Sequence, residues 1–135
     1  MTHTKESTGL LILIAGPYRS GTGDDPAKMQ RNVALMEAYA LPLFRAGHIP
    51  MLGEWAALPL AHLAGSQVVG DAPFNEVFHP IAERLLAHCG GVLRVGGPSQ
   101  GADLMLHVAR EHGLRVFMRL RDVPGCAALP DPVVA

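Results

Sequence analysis

Two glycine-bearing loops carry the side chains best suited to hold a ligand. Gly16-Pro17-Tyr18-Arg19-Ser20-Gly21 follows a continuous apolar run. Gly16 lets a backbone come close to a ligand. Tyr18 offers a stacking face and a hydroxyl. Arg19 and Ser20 suit a phosphate or a sugar hydroxyl. The plainer alternative is a glycine-rich turn with a solvated Arg. The loop is neither a Walker loop nor a GxGxxG motif, since no Gly-Lys-Ser/Thr follows and the glycine spacing differs. The second loop, Gly96-Gly97-Pro98-Ser99-Gln100-Gly101, opens a helix. Free N–H groups at a helix N-terminus attract anions. Ser99 there either caps the helix or meets a ligand oxygen.

Carboxylates are the next chemistry to place. Glu54 stands beside Trp55, just past an apolar segment. Asp71 and Glu76 lie in and after a later connection. Hydrolysis of a glycoside needs a pair of acids, one as nucleophile or base and one as acid. Seven histidines are present, but none of the HExxH or HxxxH spacings of a metal site. His107 and His112 are five apart and do not share a helix face. No metal and no cofactor is expected. His79, before Pro80, reads as a helix-borne surface residue that could also meet a ligand.

The elements that must position these groups alternate. Leu10–Ala15 is apolar throughout, as a strand buried on both faces would be. Asp25-Pro26 is a helix start, an N-cap followed by Pro at the first helical position. Met29, Val33, Met36, Ala40 and Leu43 continue it at helical spacing, with Pro42 set to kink its last turn and Gly47 to cap it. His48–Leu52 reads as a second strand, at an edge because of Pro50. Gly53–Ala64 reads as loop plus short helix, and Pro73–Cys89 as a helix with Val77, Ile81, Leu85 and Leu86 on one face. Gly91–Val95 is a third strand, Gln100–His112 a helix, and Arg115–Met118 a fourth strand. The order βαβαβαβ predicts an α/β fold with a parallel sheet of about four strands. Ligands then bind beyond the carboxyl ends of the strands. That places Gly16–Asp25, Gly53–Trp55 and Gly96–Ser99 around one cleft. The chain divides into a tail over 1–9, one domain over 10–121 and an extended tail over 122–135.

Composition removes several classes. The 135 residues are 49% hydrophobic and 17% charged, too apolar for a disordered chain. Lys and Arg number 11 against 12 Asp and Glu, so no basic footprint for a nucleic-acid polymer exists. The longest apolar run is far short of the roughly 20 residues a membrane span needs. No signal peptide stands out, and two cysteines, Cys89 and Cys126, make no disulfide framework. A reduced, cytoplasmic protein is expected.

The ordered set of motifs resembles the nucleoside 2-deoxyribosyltransferase superfamily, in its small DUF4406-like branch. The carrying residues are Ile14-Ala15-Gly16-Pro17-Tyr18, Ala46-Gly47-His48-Ile49-Pro50, Ser99-Gln100-Gly101-Ala102 and Ala109–Val116. The resemblance runs from about Leu10 to Phe117. It implies a flavodoxin-like (Rossmann-like) three-layer fold and a homo-oligomer. It also implies cleavage or transfer at the N-glycosidic bond of a nucleoside or nucleotide, with Gly16, Pro17, Tyr18, Arg19, Ser20, Trp55, Gly97, Ser99 and Gly101 around the substrate. The family's nucleophilic Glu falls six residues after the motif Ser, which is Met105 in this chain. Asp103 and Glu54 are the candidate carboxylates in its place. Asp103 also suits a plainer task, offsetting the dipole at the start of its helix. A catalytically silent nucleotide-binding module, or an oligomeric scaffold, is the alternative expectation.

Overall fold

The computed structural model describes residues 9–132. The tail expected over 1–9 therefore lies almost wholly outside the described residues. Four strands form one parallel sheet: β1 (Leu11–Ala15), β2 (Ile49–Leu52), β3 (Gly91–Arg94) and β4 (Arg115–Phe117). Their order across the sheet is β2-β1-β3-β4. Among the described residues five α-helices alternate with them: α1 (Pro26–Glu37), α2 (Ala40–Arg45), α3 (Gly53–Leu63), α4 (Ala72–Leu86) and α5 (Gln100–Glu111). This is an α/β fold of the flavodoxin-like, Rossmann-like kind, with helices in layers on both faces of the sheet.

β1 pairs on both edges, Ile14 lying opposite Leu52 on one side and Leu93 on the other. Its alternate residues feed two cores. Ile12 and Ile14 pack with Met36, Tyr39 and Leu43 in the α1–α2 layer. Leu13 and Ala15 pack with Leu86 of α4 and with Ala102, Met105, Leu106 and Ala109 of α5. A strand covered on both faces must be apolar at every position, which is why β1 shows no alternation.

The helix starts follow local chemistry. The Asp25 carboxylate accepts the Ala27 N–H ahead of Pro26, and Asp71 accepts the Phe74 N–H at α4. Pro42 does not kink a long helix. The first helix ends at Glu37, and Pro42 sits in the first turn of α2, where its missing N–H has no partner to lose. Gly53–Ala64, expected as loop plus short helix, is instead one helix that leaves β2 without a connection. Ala57 and Ala61 bury its inner face, and Gly53 packs so near α4 that an added Cβ would lie 3.3 Å from the Ala82 Cβ.

The segment after β4 does not hang free. One 3-10 turn, Leu120–Asp122, leads into Val123 and Cys126, and Leu120, Val123 and Cys126 are each at most 1% exposed. They join the core that holds Ile12, Leu93 and Phe117. His48 ties this segment down. Its Nδ1 accepts the Leu10 N–H at 3.0 Å, so Nε2 carries the proton that reaches the Pro124 carbonyl at 2.7 Å. Cys89 and Cys126 are both free and sit in different cores on opposite faces of the sheet. Among the described residues no helix is long and apolar enough to cross a membrane.

Candidate functional site

From β1 the chain crosses to β2, then returns past β1 to β3. That reversal opens a crevice at the carboxyl ends of β1 and β3. A cleft of about 260 Å³ occupies it. This lies just below the usual range of roughly 300–1,000 Å³, room for one small molecule.

The β1 and β3 loops interlock. Gly16 passes so close to the layer beneath that an added Cβ would lie 3.0 Å from both the Val95 carbonyl oxygen and the Met36 Cγ. Gly96 has φ +78°, and a Cβ there would meet the Pro17 ring at 2.7 Å. The Asn32 side chain on α1 donates to the Tyr18 carbonyl at 2.8 Å. Tyr18 is thereby aimed along one wall. Its ring stacks on Phe78 at 5.3 Å, and Phe78 stacks on Phe74 at 4.6 Å. Three rings stacked in sequence make an apolar wall of the cleft.

The opposite side is polar. Ser99, itself buried, accepts the Ala102 N–H at 3.1 Å and so caps α5, while lining the cleft with Gln100 and Gly101. Glu54 enters from the first turn of α3 and is only 9% exposed. Burial pushes its carboxyl up to about 7, and a bond from its own backbone N–H opposes this only in part. Burial, then the charge on Glu54, raises the Tyr18 phenol. Arg19 reaches the rim. Its guanidinium holds Asp24 in a fork, Nε to Oδ1 and Nη2 to Oδ2 both at 2.9 Å.

Seven of the expected site residues meet in this cleft: Gly16, Tyr18, Arg19, Ser20, Glu54, Ser99 and Gly101. Four do not. Pro17 is buried as packing against Gly96. Trp55 is turned to α1, where its indole N–H donates to Glu37 at 2.9 Å. Gly97 lends its carbonyl to Arg94 at 2.7 Å.

Asp103 stands apart from the cleft. Arg94 leaves β3 nearly buried, bonds the carbonyls of Val95 and Gly97, and draws Asp103 to its Nε at 3.1 Å. That carboxylate lies in a separate hollow with Tyr39, Met118 and Asp131, not in the cleft. Met105, two residues on, lines the cleft instead. Asp71 is spent as the α4 cap and on the N–H groups of Gln67 and Val68, which hold its carboxyl at about 2. Glu76 is exposed and does not line the cleft.

Of the α4 wall, the sequence pointed only to His79. Phe74, Phe78 and Ala82 recur every fourth residue, with Asn75 and His79 beside them, and this stripe faces the cleft. That period is visible in the sequence, next to the expected face of Val77, Ile81, Leu85 and Leu86, of which Leu86 is fully buried. Among the described residues, no three His, Cys, Asp or Glu side chains gather into a metal cluster. No protein-family model matches the chain, and no curated protein matches it.

Proposed function

We propose that the cleft binds a nucleoside or nucleotide and that the protein cleaves or transfers at its N-glycosidic bond, as the superfamily it resembles does. Glu54 carries the proposal. Among the described residues it is the only carboxylate lining an aromatic-walled cleft, and it is poised near neutrality, where acid–base and nucleophilic carboxyl groups are tuned to work. In this reading the carboxylate that the family places on α5 has moved to α3. The base lies along Tyr18 and Phe78. The sugar hydroxyls face Ser99 and the first N–H groups of α5.

Ionised Glu54 attacks C1′ and forms a glycosyl ester. The C1′–N bond breaks, its electron pair leaves on the base, and the base takes a proton from solvent at the cleft mouth. Water, or a second base, then displaces the ester at C1′ and returns the carboxylate. Attack needs the ionised form, so the rate rises with pH through about 7.

Met105 supports a second reading, binding without turnover. It lines the cleft at the position where the resemblance puts the nucleophile. Release of free base from deoxynucleosides and their 5′-monophosphates, against heat-killed protein, separates the two. Release that is lost in Glu54→Gln supports the enzyme. Thermal stabilisation by the same compounds without release supports the binding module, and neither effect overturns both.

A further inference from the structure

Among the described residues Arg19 is the only Lys or Arg lining the cleft, and the Nε–Nη2 edge of its guanidinium is already filled. Asp24 fills it bidentately, the geometry a phosphate would take. The chain makes a specific arrangement to put that carboxylate there. Asp24 has φ +60°, the one non-glycine residue with positive φ among the described residues. Gly21 and Gly23 also turn left-handed, which lets five residues double back.

Thr22, itself buried, locks the turn. Its hydroxyl donates to the Arg19 carbonyl at 2.6 Å and accepts the Asp24 N–H at 3.1 Å. The guanidinium lies over the Phe74 ring and against Gly70, where an added Cβ would sit 3.0 Å from Nη2. Arg19 is thus fixed at the cleft rim with its charge matched from within the chain. Deeper in, the one Asp, Glu, Lys or Arg among the described residues that a ligand meets is Glu54, whose carboxylate is unfavourable to an anion.

We propose that Asp24 is a specificity-determining residue: it competes with a ligand phosphate for Arg19, so the cleft selects ligands uncharged at that end over phosphorylated ones. This rests on the nucleoside reading of the cleft and narrows it. An anion reaching Arg19 either displaces a carboxylate that the turn holds in place or takes the remaining Nη1–Nη2 edge beside it, on a guanidinium whose charge is already matched. The pair is partly exposed, 41% and 46%, so the effect is a bias in affinity, not an absolute block.

Thermal shift with the common deoxynucleosides, their 5′-monophosphates and inorganic phosphate tests it. The proteins are wild type, Asp24→Asn and Asp24→Gly. The glycine variant removes the carboxylate while relieving the left-handed backbone, so the turn is kept. Wild type is expected to bind nucleosides more tightly than their monophosphates. Both variants shift that ratio toward the monophosphate by about five- to tenfold, and phosphate alone stabilises the variants but not wild type. Tighter binding of monophosphates to wild type, or an unchanged ratio in both variants, overturns the proposal. If no nucleoside or nucleotide binds any of the three, the nucleoside reading falls. Phosphate then decides the competition on its own: discrimination between variants and wild type sustains it, and none ends it.

Discussion

The Glu54 carboxyl has a value near 7 in the folded chain against an ordinary 4.5, and the difference is a statement about stability. Between those two pH values the folded protein keeps a proton that the unfolded chain releases. Raising pH through this window therefore favours unfolding, by up to roughly 3 kcal/mol once above 7. Glu54→Gln removes the dependence. Melting curves at pH 4.5 and 8 are expected to show the variant gaining on wild type only at the higher pH. The same residue was legible in sequence, because it directly follows β2 and strand ends feed the cleft. Asp103 was not. Spacing puts it in the first turn of α5, but a residue on another element decides its direction, Arg94 on β3. Side-chain direction set by a partner distant in the fold leaves no periodic trace. Trp55 misled for the same reason, being drawn to Glu37 across the fold.

Elements were legible where local chemistry sets them. Asp25-Pro26 and Ser99 marked two helix starts, and both side chains cap as their types require. Ser99→Ala loses the bond to Ala102 and is expected to lower stability by about 1 kcal/mol. A denaturant midpoint shift with an unchanged slope checks it. α3 was obscured by Gly53 and Pro59, both of which read as breakers. Tertiary packing overrides them, since Ala57 and Ala61 bury against neighbours and Gly53 is needed for close approach to Ala82. In α4 two apolar stripes compete in the sequence. Phe74 is 4% exposed while Val77, Ile81 and Leu85 are only half-buried, and no rule of spacing says which stripe lines the cleft.

At the scale of the molecule the parallel sheet, its flanking layers and the site at its carboxyl edge followed from the alternation of strand and helix. The contribution of the last residues did not. Val123-Pro124-Gly125-Cys126 reads as a tail because its apolar residues are few and separated by breakers. Those two apolar residues nonetheless complete the core over β3 and β4, on the side α1 and α2 occupy further along. Ending the chain at Asp122 removes two residues at most 1% exposed and the His48 bond to Pro124. The loss is expected to reach roughly 3 kcal/mol or more, a large part of the 5–15 kcal/mol that holds a typical domain. Thermal unfolding of the shortened chain measures it.

Ile49 donates its N–H inward, to Leu10 of the neighbouring segment. Adjacent residues of a strand point their amides to opposite sides, so the amide position of Pro50 faces outward, and proline has no hydrogen to give there. The rim of the sheet is only four residues long and lacks a donor in its middle. A second copy laid alongside β2 would find its ladder interrupted at Pro50. Contact across this edge therefore has to lean on side chains rather than on a continuous backbone ladder.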